Sequence, residues 1–142
     1  FLSGYNCTQA VVGAFADVIG MDFDTAVRFS SGFGGGMGRL REVCGTFSGA
    51  VIVVNALYGY SDPKNVQAKT ELYSRIQELA AQFRRDNGSI ICKELLGLSR
   101  PEGSPIPEAR TDEYYKKRPC PELCRYSANM LEEYIREHPP VK

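Results

Sequence analysis

Histidine is nearly missing from this chain, with His138 the single one among 142 residues, and tryptophan is absent. No apolar stretch approaches the ~20 residues needed to span a bilayer. The most apolar run, Ala50 to Leu57, is short and contains Asn55. Excess charge of either sign is lacking too, because 17 Lys and Arg balance 17 Asp and Glu. Each shortage excludes a class of function. His138 precedes Pro139-Pro140 in an expected tail over 138–142, so a Cys–His catalytic pair is not expected. A neutral chain favours neither nucleic acid nor an anionic membrane as partner. The basic clusters Arg84-Arg85 and Lys116-Lys117-Arg118 are interrupted by acids and read as solvated helix ends. Membrane insertion is not expected. No charged-then-apolar leader precedes a cleavage site, and an odd number of cysteines argues for a reducing, cytoplasmic setting. The chain opens at Phe1 rather than Met, which leaves open what precedes it.

Sulfur is what the chain does have. Cys7, Cys44, Cys92, Cys120 and Cys124 are spread along it, and four of them fall where helices are expected to begin. A thiol in a first helical turn meets unpaired N–H groups and the positive end of the helix dipole, and both favour the thiolate.

Helical spacing of apolar residues dominates, which predicts an all-α fold: one compact domain over 1–142, a bundle of five or six helices. Asn6 with Gln9 three residues later predicts a capping box opening a helix over Cys7–Ile19. Its buried stripe would be Cys7, Val11, Phe15 and Val18. Asp22 caps a second helix to about Ser30, and the Gly-rich loop Gly32 to Gly38 follows. A central helix over Val43–Tyr58 is apolar nearly all round. Gly45, Gly49 and Ala56 give it a small-residue stripe, suited to close packing within the monomer or, alternatively, across a dimer. The amphipathic helix Lys64–Asp86 buries Leu72, Ile76, Leu79 and Phe83. Ser89 is expected to cap a short helix carrying Cys92. Residues 97–110 read as a Pro-rich loop, and a last helix starts at Pro119-Cys120-Pro121 with Cys120 as its cap.

Helices packed in a bundle can bring several starts together, so Cys7, Cys44, Cys92 and Cys120 are expected to share one site. Buried cysteine can also be plain apolar filler, which leaves a helical scaffold as a third possibility. Arg39 and Arg41 lie just before Cys44 and are placed to support its thiolate. Cys120 and Cys124 stand four apart on one helix face, a spacing open to two metal ligands. The Gly-rich run lacks the phosphate-loop and dinucleotide patterns. Its role is instead to pass close to the cysteine-bearing helix, with the backbone of Gly34, Gly35 and Gly36, and of Gly45, available to an anion or a cluster sulfide. Tyr5, Tyr58 and Tyr60 are candidate pocket walls.

The segment Gly4-Tyr5-Asn6-Cys7, the glycine run, Cys44-Gly45-Thr46-Phe47-Ser48-Gly49, Cys92-Lys93-Glu94-Leu95-Leu96 and Cys120 together resemble a family of redox proteins named for a C…CGAxxG…C…C pattern. Thr46 stands where that motif has alanine. The resemblance implies a small all-helical bacterial or archaeal protein, often linked with transport genes and served by an unknown redox partner. It also implies that the family's four cysteines are Cys7, Cys44, Cys92 and Cys120, with Cys124 an extra. Two chemistries fit these residues. In one, a thiol-dependent oxidoreductase uses Cys44 as nucleophile and Cys7 or Cys92 as resolving thiol, with no cofactor. In the other, the same four sulfurs ligate zinc or an iron–sulfur cluster.

Overall fold

A computed structural model describes residues 1–98 and 104–140. Its elements are helices α1 (Cys7–Ala14), α2 (Phe23–Phe29), α3 (Gly34–Met37), α4 (Gly45–Tyr58), α5 (Val66–Asn87), α6 (Cys92–Leu95), α7 (Asp112–Lys117) and α8 (Cys120–Glu137), with a 3-10 turn at Ser31–Phe33. The fold is all-α. Five helices have seven or more residues, and among the described residues the only β pairing is an antiparallel bridge between Val43 and Ile91. No described helix is long and apolar enough to cross a membrane.

The core lies between α1, α4, α5 and α8, where Val11, Phe47, Ala50, Val53, Val54, Leu79, Phe83 and Leu131 are buried. Burying one such large aliphatic or aromatic side chain is worth about 1.5–3 kcal/mol. The capping box forms as expected, with Asn6 Oδ1 accepting from the Gln9 N–H at 2.9 Å. α1 nevertheless stops at Ala14 instead of Ile19, and the turns that follow leave Val18 53% exposed, outside the expected stripe.

α4 approaches α1 through its glycines. A β-carbon on Gly45 would lie 2.3 Å from Cys7 Sγ and 2.5 Å from Thr8 Oγ1, and one on Gly49 would lie 2.9 Å from Val11 Cβ. The stripe therefore packs inside the monomer at these two positions, while Ala56 is exposed. The Thr8 hydroxyl donates to Gly45 O at 2.9 Å, and Ser127 of α8 donates to Thr46 O at 2.7 Å. Both bonds are buried, so α4 is tied on two sides near its first turn.

Several boundaries differ from expectation for local reasons. α5 begins at Val66 rather than Lys64 because Asn65 caps it by accepting from the Ala68 N–H. Ser89 accepts from the Ile91 N–H, but Ile91 is the cap of α6 and Cys92 its first residue. Pro119 precedes α8, so Cys120 is the first helical residue and not the cap. The buried face of α8 is Leu123, Ser127, Met130, Leu131 and Tyr134. That turns Cys124 and Ile135 to its half-buried flank. α7 lies between the expected loop and the expected last helix, where only a solvated helix end at Lys116-Lys117-Arg118 was read; it is capped by Thr111 and carries Asp112 and Glu113 in its first turn and Lys116 and Lys117 in its last. Of the Pro-rich stretch, 99–103 lie outside the described residues, as do 141–142 of the tail.

The glycine run is more ordered than a loop. Gly35, Gly36, Met37 and Gly38 take successive positive φ values of 69°, 72°, 74° and 55°, a left-handed turn. Gly36 is at its tightest point, where a β-carbon would meet Arg41 Cα, Cys92 Cβ and the Glu42 nitrogen, each at 2.7 Å. At Gly38 a β-carbon would meet nothing within 4 Å. Gly38→Ala should therefore cost only the left-handed backbone penalty, about 1–2 kcal/mol. Gly36→Ala should cost about 1–3 kcal/mol more for forced repacking. Urea denaturation of the two variants measures the gap, and equal losses would show that Gly36 does not pack against Cys92.

Candidate functional site

Four helix starts deliver four sulfurs to one place. Cys7, Cys92 and Cys120 are the first residues of α1, α6 and α8, and Cys44 caps α4. A short backbone ladder sets two of them side by side. Cys44 N–H donates to Ile90 O at 2.7 Å, Cys92 N–H to Glu42 O at 2.5 Å, and Lys93 N–H to Arg41 O at 3.2 Å. Cys7 reaches the same point because Gly45, next to Cys44, leaves space for its sulfur. All four line one enclosed cavity of about 60 Å³, together with Gly35, Gly45 and Thr46. The expected convergence is thus present. Cys124 lies just outside, with its thiol 3.9 Å from Cys7 O. The five thiols are free.

The glycines serve the sulfurs' packing. The places that side chains on Gly34, Gly36 and Gly45 would fill are taken by Asn6, by Arg41 and Cys92, and by Cys7 and Thr8. Among the described residues no three His, Cys, Asp or Glu side chains are grouped to hold a metal ion.

Burial reverses the expected effect of the helix starts on ionisation. Cys7, Cys44 and Cys92 are 8%, 6% and 7% exposed. Loss of water pushes the Cys44 thiol up to about 11, helped by the nearby Cys7 and opposed by hydrogen bonding to Thr46, whose Oγ1 is 3.1 Å from the sulfur. Cys120 and Cys124 rise to about 12, again chiefly through burial and then through Cys7. Cys92 rises by burial as well, but its neighbour is a cation, since Arg41 Nη1 donates to its sulfur at 3.7 Å. Arg41 is buried and serves Cys92 rather than Cys44. Arg39 turns away, donating to the carbonyls of Ser104 and Ile106. The nearby Cys7 adds to the rise of each of the four other thiols, behind burial in every case.

Sequence reasoning missed the roof. Phe1, Arg110 and Tyr114 also line the cavity. Arg110 donates to Phe1 O at 3.2 Å and Tyr5 O at 3.1 Å, and its guanidinium lies 4.2 Å from the Phe1 ring and 5.2 Å from that of Tyr114. The Thr-Asp-Glu start and Lys-Lys end of α7 were the available signal for this element. Of the tyrosines expected as pocket walls, Tyr5 packs edge-on against Phe23. Tyr58 donates to His138 O at 2.6 Å and lies beside Arg75, away from the sulfurs, and Tyr60 lies near Lys69. His138 stacks on Tyr134 at the opposite end of α8 from Cys120.

A family model described as "Putative redox-active protein (C_GCAxxG_C_C)" matches residues 5–134. The chain belongs to that family. No curated protein and no solved structure gave a significant match. The matched span of this C_GCAxxG_C_C member includes all five cysteines and every residue of the cavity except Phe1.

Alkylation reads the buried thiols directly, because only the thiolate attacks. A Cys44 thiol at about 11 against an ordinary value of 9.0 carries about 100-fold less thiolate below both values. Iodoacetamide labelling of Cys44 in the native protein should therefore run at least about 100-fold slower than in urea at pH 8. It should keep rising about tenfold per pH unit beyond pH 9, where the unfolded chain levels off. Peptide mass spectrometry follows the site, and similar native and unfolded rates would contradict the burial account.

Proposed function

We propose that this protein carries out thiol–disulfide exchange with Cys7, Cys44, Cys92 and Cys120 around their shared cavity. The observation that supports this best is the meeting of four free thiols, drawn from four helix starts, in one enclosed space. Sulfur is also the one evident reactive group there.

The partners of each thiol suggest its role. Cys92 is the attacking group, since a guanidinium beside its sulfur offsets the charge of its thiolate. Cys44, the nucleophile expected in the thiol reading, has the Thr46 hydroxyl and backbone for that purpose but no cation in contact. Cys7, which lines the same cavity, serves as the resolving thiol. The thiolate of Cys92 attacks one sulfur of a substrate disulfide. The substrate S–S bond breaks, a mixed disulfide forms on Cys92, and the departing thiolate takes up the proton Cys92 gave. Cys7 then loses its proton and attacks Cys92 Sγ, so that a protein disulfide forms and the second substrate thiol leaves protonated. Two protein thiols are oxidised and one substrate disulfide is reduced.

Mild oxidation of the purified protein with a small disulfide, followed by alkylation and mass spectrometry, should show two cavity thiols protected. Cys7→Ser should stop at the mixed disulfide, with Cys92 carrying the small-molecule adduct and no second cavity thiol protected. Equal alkylation of all five cysteines before and after oxidation would end the exchange reading. Stoichiometric zinc or iron in anaerobically purified protein, masking the same four thiols, would replace it with the ligand reading.

A further inference from the structure

A second opening lies directly against the sulfur cavity. It is a surface cleft of about 340 Å³ between the glycine run and the segment before α7, within reach of the ~300–1,000 Å³ of small-molecule sites. Asn6, Gly35, Arg41, Arg110 and Tyr114 line both the cleft and the cavity, so one wall separates them. Among the described residues lining the cleft, the ionisable ones are Arg39, Arg41, Arg110, Glu108 and Tyr114. Three are guanidiniums. The one carboxylate, Glu108, is engaged by Arg118 at 2.8 Å.

The arginines are held in position. Arg39 donates to the carbonyls of Ser104 and Ile106, Arg110 to those of Phe1 and Tyr5, and Arg41 to Cys92. Guanidinium is a planar donor fork that matches a carboxylate and keeps its charge at any working pH. Arg41 lines the cleft and also contacts the sulfur proposed to attack. An anion seated on Arg39 and Arg110 would therefore lie beside the wall behind which Cys92 stands. Three of the thiols are less than a tenth exposed and roofed by Phe1, Arg110 and Tyr114. A disulfide embedded in a folded protein is too bulky for the cleft, whereas a small molecule seated there lies against Arg110 and Tyr114, the part of the roof that cleft and cavity share.

We propose that the substrate disulfide is a small, carboxylate-bearing anion recognised by Arg39, Arg41 and Arg110. This inference rests on the exchange reading and narrows it to a substrate class. In the exchange, the anion's own S–S bond is the one attacked by Cys92, and its two halves leave as carboxylate-bearing thiols.

Two near-isosteric disulfides test it: dithiodipropionate, a dianion, and cystamine, a dication. Their rates of oxidising the full chain, measured by loss of free thiols, are compared with their rates on a simple alkyl thiol. The protein should favour the dianion by about tenfold relative to the alkyl thiol, as charge complementarity requires. Arg39→Gln and Arg110→Gln should each lower that preference several-fold, while Arg39→Lys should keep most of it. A preference no greater than that of the alkyl thiol, or one unchanged in both glutamine variants, overturns the proposal. Suberate, which has the dianion's length but no sulfur, separates the two failures. It should raise the Tm of the unmodified protein and not that of the Arg39→Gln/Arg110→Gln double variant. If suberate does so while no disulfide oxidises the thiols, the exchange reading fails and the substrate role fails with it. If both disulfides oxidise the thiols without charge preference and suberate has no effect, the anion site alone fails.

Discussion

The contact between α1 and α4 at Gly45 governs the site, because it decides whether Cys7 can reach the other sulfurs at all. Any side chain at 45 would occupy the position of Cys7 Sγ and Thr8 Oγ1. With glycine there, Thr8 reaches across to bond the Gly45 carbonyl, and that bond fixes the depth at which α1 sits. Ser127 makes the matching bond from α8 to Thr46. Two buried hydroxyls thus hold the first turn of the central helix between its neighbours. Each also gives a partner to a fully buried hydroxyl that would otherwise be costly to leave unpaired. The Val43–Ile91 bridge then brings the Cys92 segment in from a third direction.

This depth has an electrostatic consequence that opposes the helix starts. A charge at a helix N-terminus gains about 0.3–1 kcal/mol, and up to ~2 kcal/mol when partly buried. Raising Cys44 from 9.0 to about 11 corresponds to about 2.7 kcal/mol against the thiolate. Desolvation wins. The helix starts place the sulfurs together, and the packing that encloses them keeps Cys44, Cys92 and Cys120 protonated until a partner or a neighbouring cation changes the balance. Only Arg41 is a buried cation in contact with one of these sulfurs among the described residues.

Much of this could be read from local signals. The Asn6–Gln9 box, the helix faces of α4 and α5, and the positions of Cys7, Cys44, Cys92 and Cys120 at helix starts each follow from caps and periodicity within a few residues. Their meeting in one cavity was inferable from how bundles pack. What local pattern could not supply was depth, and depth determines exposure and ionisation. Val18 continues the apolar stripe of α1 yet lies outside it, because the chain turns away after Ala14. α7 was hidden by its polarity, since Asp112–Lys117 has no buried residue and so no stripe to detect. Its contribution comes through Tyr114, which lines the cavity and packs against Arg110 of the preceding segment, and Arg110 in turn bonds the first residues of the chain.

The left-handed segment before α4 shows why Arg41 belongs to the sulfur site and not to the surface. Met37, Arg39 and Arg41 take φ values of 74°, 65° and 60°, unusual for residues with a side chain. Such conformations cost roughly 1–3 kcal/mol each and persist only where the surroundings enforce them. Here the enforcement is visible in the backbone. Arg41 N–H donates to Gly35 O and Glu42 N–H to Gly36 O, while Arg41 O and Glu42 O accept from Lys93 and Cys92. A right-handed residue at 41 would redirect the backbone and break the register with 92 and 93. The same geometry that delivers Cys92 to the cavity therefore fixes the origin of the Arg41 side chain beside it. A cation introduced from an ordinary surface loop would escape to water instead of entering a site less than a tenth exposed. Backbone strain at 41 is thus coupled to charge placement at 92, and neither arrangement is available without the glycines at 35 and 36.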